Sequence, residues 1–379
     1  AEVTLRSITL EGNTAFDDAR LYRVLGDVLG QRHDLAGLRE LTNRLSRFYR
    51  NHGYPFARAL LPAQELSDGH LTVRIVEGRY DRAHTSGPEP LASELQPWLD
   101  PLTPDTPIAS APLSRQLLLL GDLPGVKVDP VMRPGSRPGT GDLDVKVQPS
   151  SRVTGLVGAD NHGNRYSGEY RGRTGVAVNR LLTVGDELDL SALYTSEDTW
   201  LGSLSYALPL GTSGLRGELG YARNDYTLGH GFQGYTGQAD VYSAQLRYPL
   251  MRRQQTNVAL FGGARYKTLE DDIETFDYRK ATDSRALPLG LTFDARDNLG
   301  RGGITWGELT LTPGRMEIDQ SLAGGDQDYS FTTVDLDVSR LQALGASIEL
   351  YGRFTGQWAD REDLDGSESF YLGGPDGVR

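Results

Sequence analysis

The feature that most constrains this chain is a change of rhythm near residue 151. From Arg152 onward no helical period remains, and apolar side chains recur at every second position. Eleven strand candidates follow one another, at 152–160, 166–178, 186–195, 199–209, 215–225, 239–249, 256–267, 285–296, 303–314, 329–340 and 346–357. Most have the 9–13 residues that a tilted strand needs to cross a bilayer. Their two faces differ. In the last, Ile348, Leu350, Gly352 and Phe354 alternate with Glu349, Tyr351, Arg353 and Thr355; in the one before it, Val334, Leu336 and Val338 alternate with Asp335, Asp337 and Ser339. One face suits lipid and the other a wet lumen.

The connections alternate too. Asn179–Gly185, Leu210–Gly214, Leu250–Gln255, Asp297–Gly302 and Leu341–Gly345 are short, whereas Tyr226–Gln238, Thr268–Ser284 and Arg315–Asp328 are long. Short turns on one side and long loops on the other are the habit of a transmembrane β-barrel. A soluble sandwich has no need of it.

Residues 1–150 obey another grammar. Strand-like Val3–Leu10 leads through the turn Glu11-Gly12-Asn13 to a helix over 17–29 capped by Asp17, with Leu21, Val24, Leu25 and Val28 on one face. A second helix spans 35–52 and stops at Gly53, and strands at 56–61 and 71–76 close a βααββ unit. The order recurs more loosely: strand 80–86, helices 91–99 and 113–120, then strands 126–132 and 143–148 split by the Pro- and Gly-rich turn 133–141.

Composition narrows the function classes. No stretch approaches the roughly 20 apolar residues of a membrane-spanning helix. Net charge is −12 with no basic cluster, so no nucleic-acid partner is expected. With 46 glycines, 18 tyrosines and no cysteine, the chain fits an extracytoplasmic β-protein. The 6 histidines have no paired ligand spacing, Gly-x-Ser-x-Gly is absent, and neither a P-loop nor a dinucleotide fingerprint occurs, so neither enzyme activity nor a cofactor or metal is expected. Asp363-x-Asp365-Gly366 has Arg361 and Leu372 where a calcium loop requires ligands. The acidic tracts Glu270-Asp271-Asp272 and Asp360-Arg361-Glu362-Asp363 read as solvated loops.

Several motifs carry a family resemblance. Ile8-Thr9-Leu10-Glu11-Gly12-Asn13, Gly53-Tyr54, Leu61-Pro62-Ala63-Gln64, Gly69-His70-Leu71 and Val76-Glu77-Gly78 resemble a POTRA domain of the two-partner secretion outer-membrane transporters, the TpsB family. Leu117–Val126, with its Gly121-Asp122-Leu123-Pro124-Gly125 core, resembles a second POTRA domain. Leu291–Asn298 is similar to a strand end and periplasmic turn of these barrels, and Phe370–Arg379 to the start of the sixth-loop Val-Arg-Gly-Tyr motif.

The resemblance implies α+β periplasmic POTRA domains at 1–79 and 80–150, followed by an all-β antiparallel transmembrane barrel from 151 to 379, with about 11 of an expected 16 strands present. On that reading the sequence is cut within the sixth extracellular loop, and the family's N-terminal plug helix is absent. The activity implied is export of an unfolded secreted TpsA-like adhesin or haemolysin through the bacterial outer membrane. The alternative within the superfamily is an insertase or assembly factor for other barrels; the two-domain count favours export. Implied partners are the secreted client, outer-membrane lipid, and the periplasmic chaperones and barrel-assembly machinery that serve such proteins.

Three sets of site residues follow as expectations. A client strand would add to the second POTRA sheet, in a groove near Leu117, Leu120, Val126 and Val128. The resemblance implies that Gly373, Gly374, Val378 and Arg379 belong to the loop-six motif, whose arginine folds into the lumen against a wall carboxylate. The alternation places Asp335, Asp337, Glu349 and Arg353 on the lumen wall.

Overall fold

The computed structural model describes residues 2–321 and 325–369. Contacts divide the chain into a front unit, Ala1–Asp122 with Lys127–Gln148, and a barrel unit, Leu123–Val126 with Pro149–Arg379.

The front unit opens with β1 (Val3–Thr4), β2 (Ser7–Glu11), α1 (Asp18–Leu25), β3 (Arg32–His33), α2 (Leu35–Asn51), β4 (Arg58–Leu60) and β5 (His70–Val76). The single strand expected over 3–10 is two. Leu5, between them, is fully buried, and β1 turns aside to pair with β3. Asp17 caps α1 by accepting the Arg20 N–H at 2.8 Å, and Asp34 caps α2 through Gly37 in the same way. At the end of α2, Gly53 at φ +89° lets Tyr54 N–H reach Tyr49 C=O while its own N–H reaches Arg50 C=O, a Schellman stop. The sheet order is β2-β5-β4, with β2 parallel to β5. Leu21, Leu25, Leu41, Leu45 and Tyr49 pack on Leu71, Val73 and Ile75 to form the core.

The second sheet comes from β6 (Arg79–Ser86), α3 (Leu91–Leu95) continued by a 3₁₀ turn to Leu99, α4 (Ser110–Gly121), β7 (Val126–Pro134) and β8 (Thr140–Pro149). Its order is β6-β8-β7, with β6 parallel to β8 and β7 at an edge.

The barrel unit is one antiparallel ladder: β9 (Val153–Asp160), β10 (Arg171–Asn179), β11 (Glu187–Thr195), β12 (Trp200–Pro209), β13 (Arg216–Thr227), β14 (Tyr235–Arg252), β15 (Thr256–Ile273), β16 (Tyr278–Ala286), β17 (Leu289–Asp297), β18 (Gly303–Gln320), β19 (Gln327–Ala343) and β20 (Glu349–Ala359). β16 and β17 occupy a single position between β15 and β18. The register keeps the same phase from Ala286↔Gly314 to Leu289↔Leu311 across a gap at 287–288. Among the described residues, twelve segments thus fill the eleven positions expected.

Strand lengths correct the loop reading. β14, β15 and β18 have 18 residues each, about 60 Å at ~3.4 Å per residue, well beyond what one crossing requires. The long loop expected at 268–284 is mostly the continuation of β15 and β16, and only Glu274–Asp277 turn the chain. Outside the bilayer both faces of a strand meet water, so the apolar alternation that marks a strand in sequence vanishes while pairing continues. The acidic tract at 270–272 belongs to this extension: Tyr226 donates to Asp271 across the ladder.

Candidate functional site

In the first sheet, the motif residues fix the edges. Glu77, whose side chain is fully buried, accepts from Thr14 N–H at 2.6 Å, Ala15 N–H at 2.8 Å, the Thr14 hydroxyl and Tyr49 Oη at 3.1 Å, and pairs with Arg79 at 2.9 Å. Burial pushes its carboxyl upward, but the converging donors outweigh burial and hold it below the usual carboxylate range. The same burial, with Glu77 alongside, raises the Tyr49 phenol. Gly78 must be glycine: at φ +72° an added Cβ would stand 2.6 Å from Phe56 Cβ.

Beyond β4, the side-chain amide of Gln64 donates to Thr72 C=O and accepts Thr72 N–H, each at 2.8 Å, standing in for the next ladder residue. On the other side of β4, the Ala59 N–H donates to Ser46 Oγ of α2 at 2.9 Å, and Ser46 donates to Thr42 C=O. A helix serine thus occupies the Ala59 N–H of this edge.

The second sheet presents β7 as its edge, and Lys127, Asp129, Pro130, Arg133 and Pro134 along it are exposed. The four groove candidates part company here. Leu120 is fully buried and Val126 is 8% exposed, so an intact groove does not offer them to a client. The buried face of α4 is Gln116, Leu119 and Leu120, which leaves Leu117 on its half-buried flank. A run of four leucines conceals this helical phase in sequence. Val128 is half-buried beside Gly121, where an added Cβ would lie 3.5 Å from its methyl.

In the barrel unit, the register aligns Glu308↔Asp337, Thr310↔Asp335 and Thr312↔Thr333, and then Asp335↔Gln357 and Ser339↔Arg353, on one face. Gln357 donates to Asp335 at 2.8 Å, and Arg353 clasps Asp337 at 2.5 Å on the diagonal. Glu349 begins β20 opposite Ala343 and is exposed, away from this cluster. The opposite face carries Leu309, Leu311, Leu336, Phe354 and Trp358.

Residues 360–369 lie across the polar face. Leu364 packs on a small apolar cluster of Ala286, Met316, Ile318, Tyr329 and Phe331. The Arg361 guanidinium sits 3.9 Å from the centre of the Tyr329 ring. Asp365 pairs with Lys280 and accepts Ser367 N–H at 2.9 Å. Glu368, 5% exposed, pairs with Arg265 and Lys267 at 2.8 Å each and accepts from Ser284 at 3.0 Å. Beside it is a polar cavity of about 560 Å³, lined in part by Arg265, Lys267, Glu308, Thr333, Asp335 and Gln357. Arg265, Lys267, Lys280, Asp365 and Glu368 were not foreseen from sequence. Their partners are roughly 85 to 103 positions away, and only the ladder brings them together. Gly373, Gly374, Val378 and Arg379 lie outside the described residues.

A two-faced antiparallel ladder with a charged segment folded on its polar side, preceded by a POTRA-type sheet, defines a POTRA-bearing barrel of the bacterial outer membrane, its front domains in the periplasm. A family model for ShlB-type POTRA domains matches residues 3–78, and the model for the haemolysin secretion/activation protein ShlB/FhaC/HecB family matches residues 139–379. The chain belongs to that family of TpsB transporters.

Among similar proteins are the heme/hemopexin transporter protein HuxB of Haemophilus influenzae strain 86-028NP, 27% identical over 95% of this chain, and the outer membrane transporter CdiB of Dickeya dadantii, 24% identical over 99%. The chain spans 65% of the length of the former and 68% of the latter. The solved structure of CdiB from Escherichia coli matches all of this chain and 72% of its own, with a TM-score of 0.78 at 22% identity.

Proposed function

We propose that this chain recognises an unfolded secreted partner in the periplasm with its front domains and passes it outward along the polar face of the barrel wall. The observation that carries the reading is the contrast between two sheet edges. Ala59 N–H on β4 is occupied by Ser46, whereas β7 lines an edge with most of its residues exposed. An extended client segment that adds a strand at β7 gains main-chain hydrogen bonds there, with Pro130 and Pro134 offering only their carbonyls, and with Leu117 and Val128 beside it. In this reading residues 80–150 act as a second POTRA domain, and the implied client is a TpsA-like secreted protein of adhesin or haemolysin type.

The inner face suits passage of such a client. Threonine, glutamine and paired charges keep a wall wet without offering apolar surface to which an unfolded chain would stick. Residues 360–369 and their ion pairs stand in the way, and the segment must yield as the client threads. Client folding outside supplies direction, so no nucleotide is needed.

The test is a cysteine pair that tethers a decoy strand along β7. Surface delivery of the partner is expected to fall when the tether is oxidised and to recover on reduction; delivery unaffected by the tether overturns the reading.

A further inference from the structure

The outer face of the ladder carries one row that neither the apolar band nor the lumen explains. Register places Tyr221, Tyr242, Tyr266, Arg285 and Arg315 side by side across five neighbouring strands. They point away from the lumen, because the intervening Lys267 and Ser284 face inward to Glu368. One row toward the turns made by β14–β15 and β17–β18, the same face becomes Ala244, Ala264, Leu287 and Pro313, and then Leu246, Leu289 and Leu311. One row the other way it becomes Asp240, Asp283 and Glu317. Since β9 follows periplasmic domains, β15 runs outward, and the row marks the outer boundary of the apolar band, where aromatic girdles sit.

Arginine usage along this rim is uneven. Arg223 pairs with Asp225 and Asp240, Arg279 with Glu270 and Asp272, and Arg315 with Glu317 and Asp328. Arg285 is exposed and makes no ion pair or side-chain hydrogen bond among the described residues; its guanidinium lies 5.8 Å from the centre of the Tyr266 ring. It stands directly opposite Arg315, whose own charge is met by Asp328 and Glu317, so among the described residues Arg285 is left as the unmatched cation of the pair. Both arginines border an apolar cavity of about 810 Å³ with Ala244, Ala264, Leu287 and Pro313 in its walls.

We propose that this cavity binds a phosphorylated lipid of the outer leaflet, with lipid A as the occupant. Arg285 takes the phosphate, whose oxygens match its guanidinium fork, with Arg315 on the border of the cavity, and the acyl chains lie along Leu287, Pro313 and the leucine rows. The acidic row does not oppose this: Asp240 pairs with Arg223, Glu317 pairs with Arg315, and Asp283 accepts from Tyr266 Oη at 3.0 Å. The inference rests on the membrane placement and is independent of how a client is recognised.

Native mass spectrometry of the purified protein in detergent, titrated with bis-phosphorylated lipid A, tests it. Wild type is expected to hold lipid A and to bind the enzymatically dephosphorylated lipid about ten-fold more weakly, as loss of a charge-assisted contact requires. R285Q should lose the preference for phosphate, while R279Q, on the same rim, should keep it. Equal binding of the two lipids by wild type overturns the proposal without any variant. So does an R285Q protein, folded by its heat-modifiable migration, that discriminates as wild type does.

Discussion

Glu368 and Lys267, 101 residues apart, meet at 2.8 Å, with the Glu368 side chain only 5% exposed. Arg265 completes the cluster at the same distance. The segment that follows the last described strand is thereby fastened to the wall near the middle of the ladder. Removing one partner from a buried pair typically costs about 3–5 kcal/mol, because the remaining charges lose their counter-ion. Here Arg265 and Lys267 would be left facing each other. Glu368→Gln is therefore expected to release residues 360–369 and raise single-channel conductance in planar bilayers. The exchange Glu368→Lys with Lys267→Glu should restore part of the closed behaviour.

The Ser46–Ala59 contact gives a second prediction. Ser46→Ala leaves the Ala59 N–H, on a residue 8% exposed, without its acceptor. An unsatisfied buried donor costs about 1–3 kcal/mol. Hydrogen exchange at the Ala59 amide should accelerate by one to two orders of magnitude, while amides in β8 keep their protection.

Glu77 makes stability pH-dependent with a defined sign. Its carboxyl titrates below the usual range in the folded state. Its contribution is therefore complete above the unfolded value near ~4.3 and is lost as pH falls toward the lower folded value. The urea midpoint of the front unit should hold down to about pH 5 and fall as the pH drops from about 5 toward about 3. In Glu77→Gln it should be lower throughout and flatter across that interval.

The two faces of β18 should respond oppositely to charge. Leu309→Arg places a guanidinium on the apolar face and should destabilise the folded barrel by about 2–4 kcal/mol if it lies near the bilayer midplane. Thr310→Arg, its neighbour, points to the polar side and should cost little. Urea-driven unfolding in lipid vesicles distinguishes them.

Much of this architecture can be read from the residues, for identifiable reasons. Leu309, Leu311, Val334 and Leu336 alternate with polar neighbours because lipid lies on one side, so the strands announce themselves. Thr268–Ser284 looked like a loop because water lies on both sides there, and nothing apolar marks a pairing that continues. Leu117 and Leu120 could not be told apart by residue type; only the helical phase set by Gln116 and Leu119 separates flank from core. Asp363-x-Asp365-Gly366 follows a tract whose acids Asp360, Glu362 and Asp363 are exposed, in keeping with a solvated reading of 360–363. Asp365 instead pairs with Lys280, and Glu368 with Lys267, pairings that the ladder register alone creates. The Pro62-x-Gln64 motif was legible as a motif but not as a strand substitute, since Thr72 is its partner only in the folded sheet.

The central claim is that the client moves along the polar face of the wall. Site-specific photocrosslinking during export tests it most directly, with the probe placed in turn at Thr355 and Phe354, adjacent residues of β20 on opposite faces. With a partner stalled in transit, the probe at position 355 should trap the client and the probe at position 354 should trap lipid or nothing. Equal client adducts at both positions, or none at 355 while export proceeds, would contradict it.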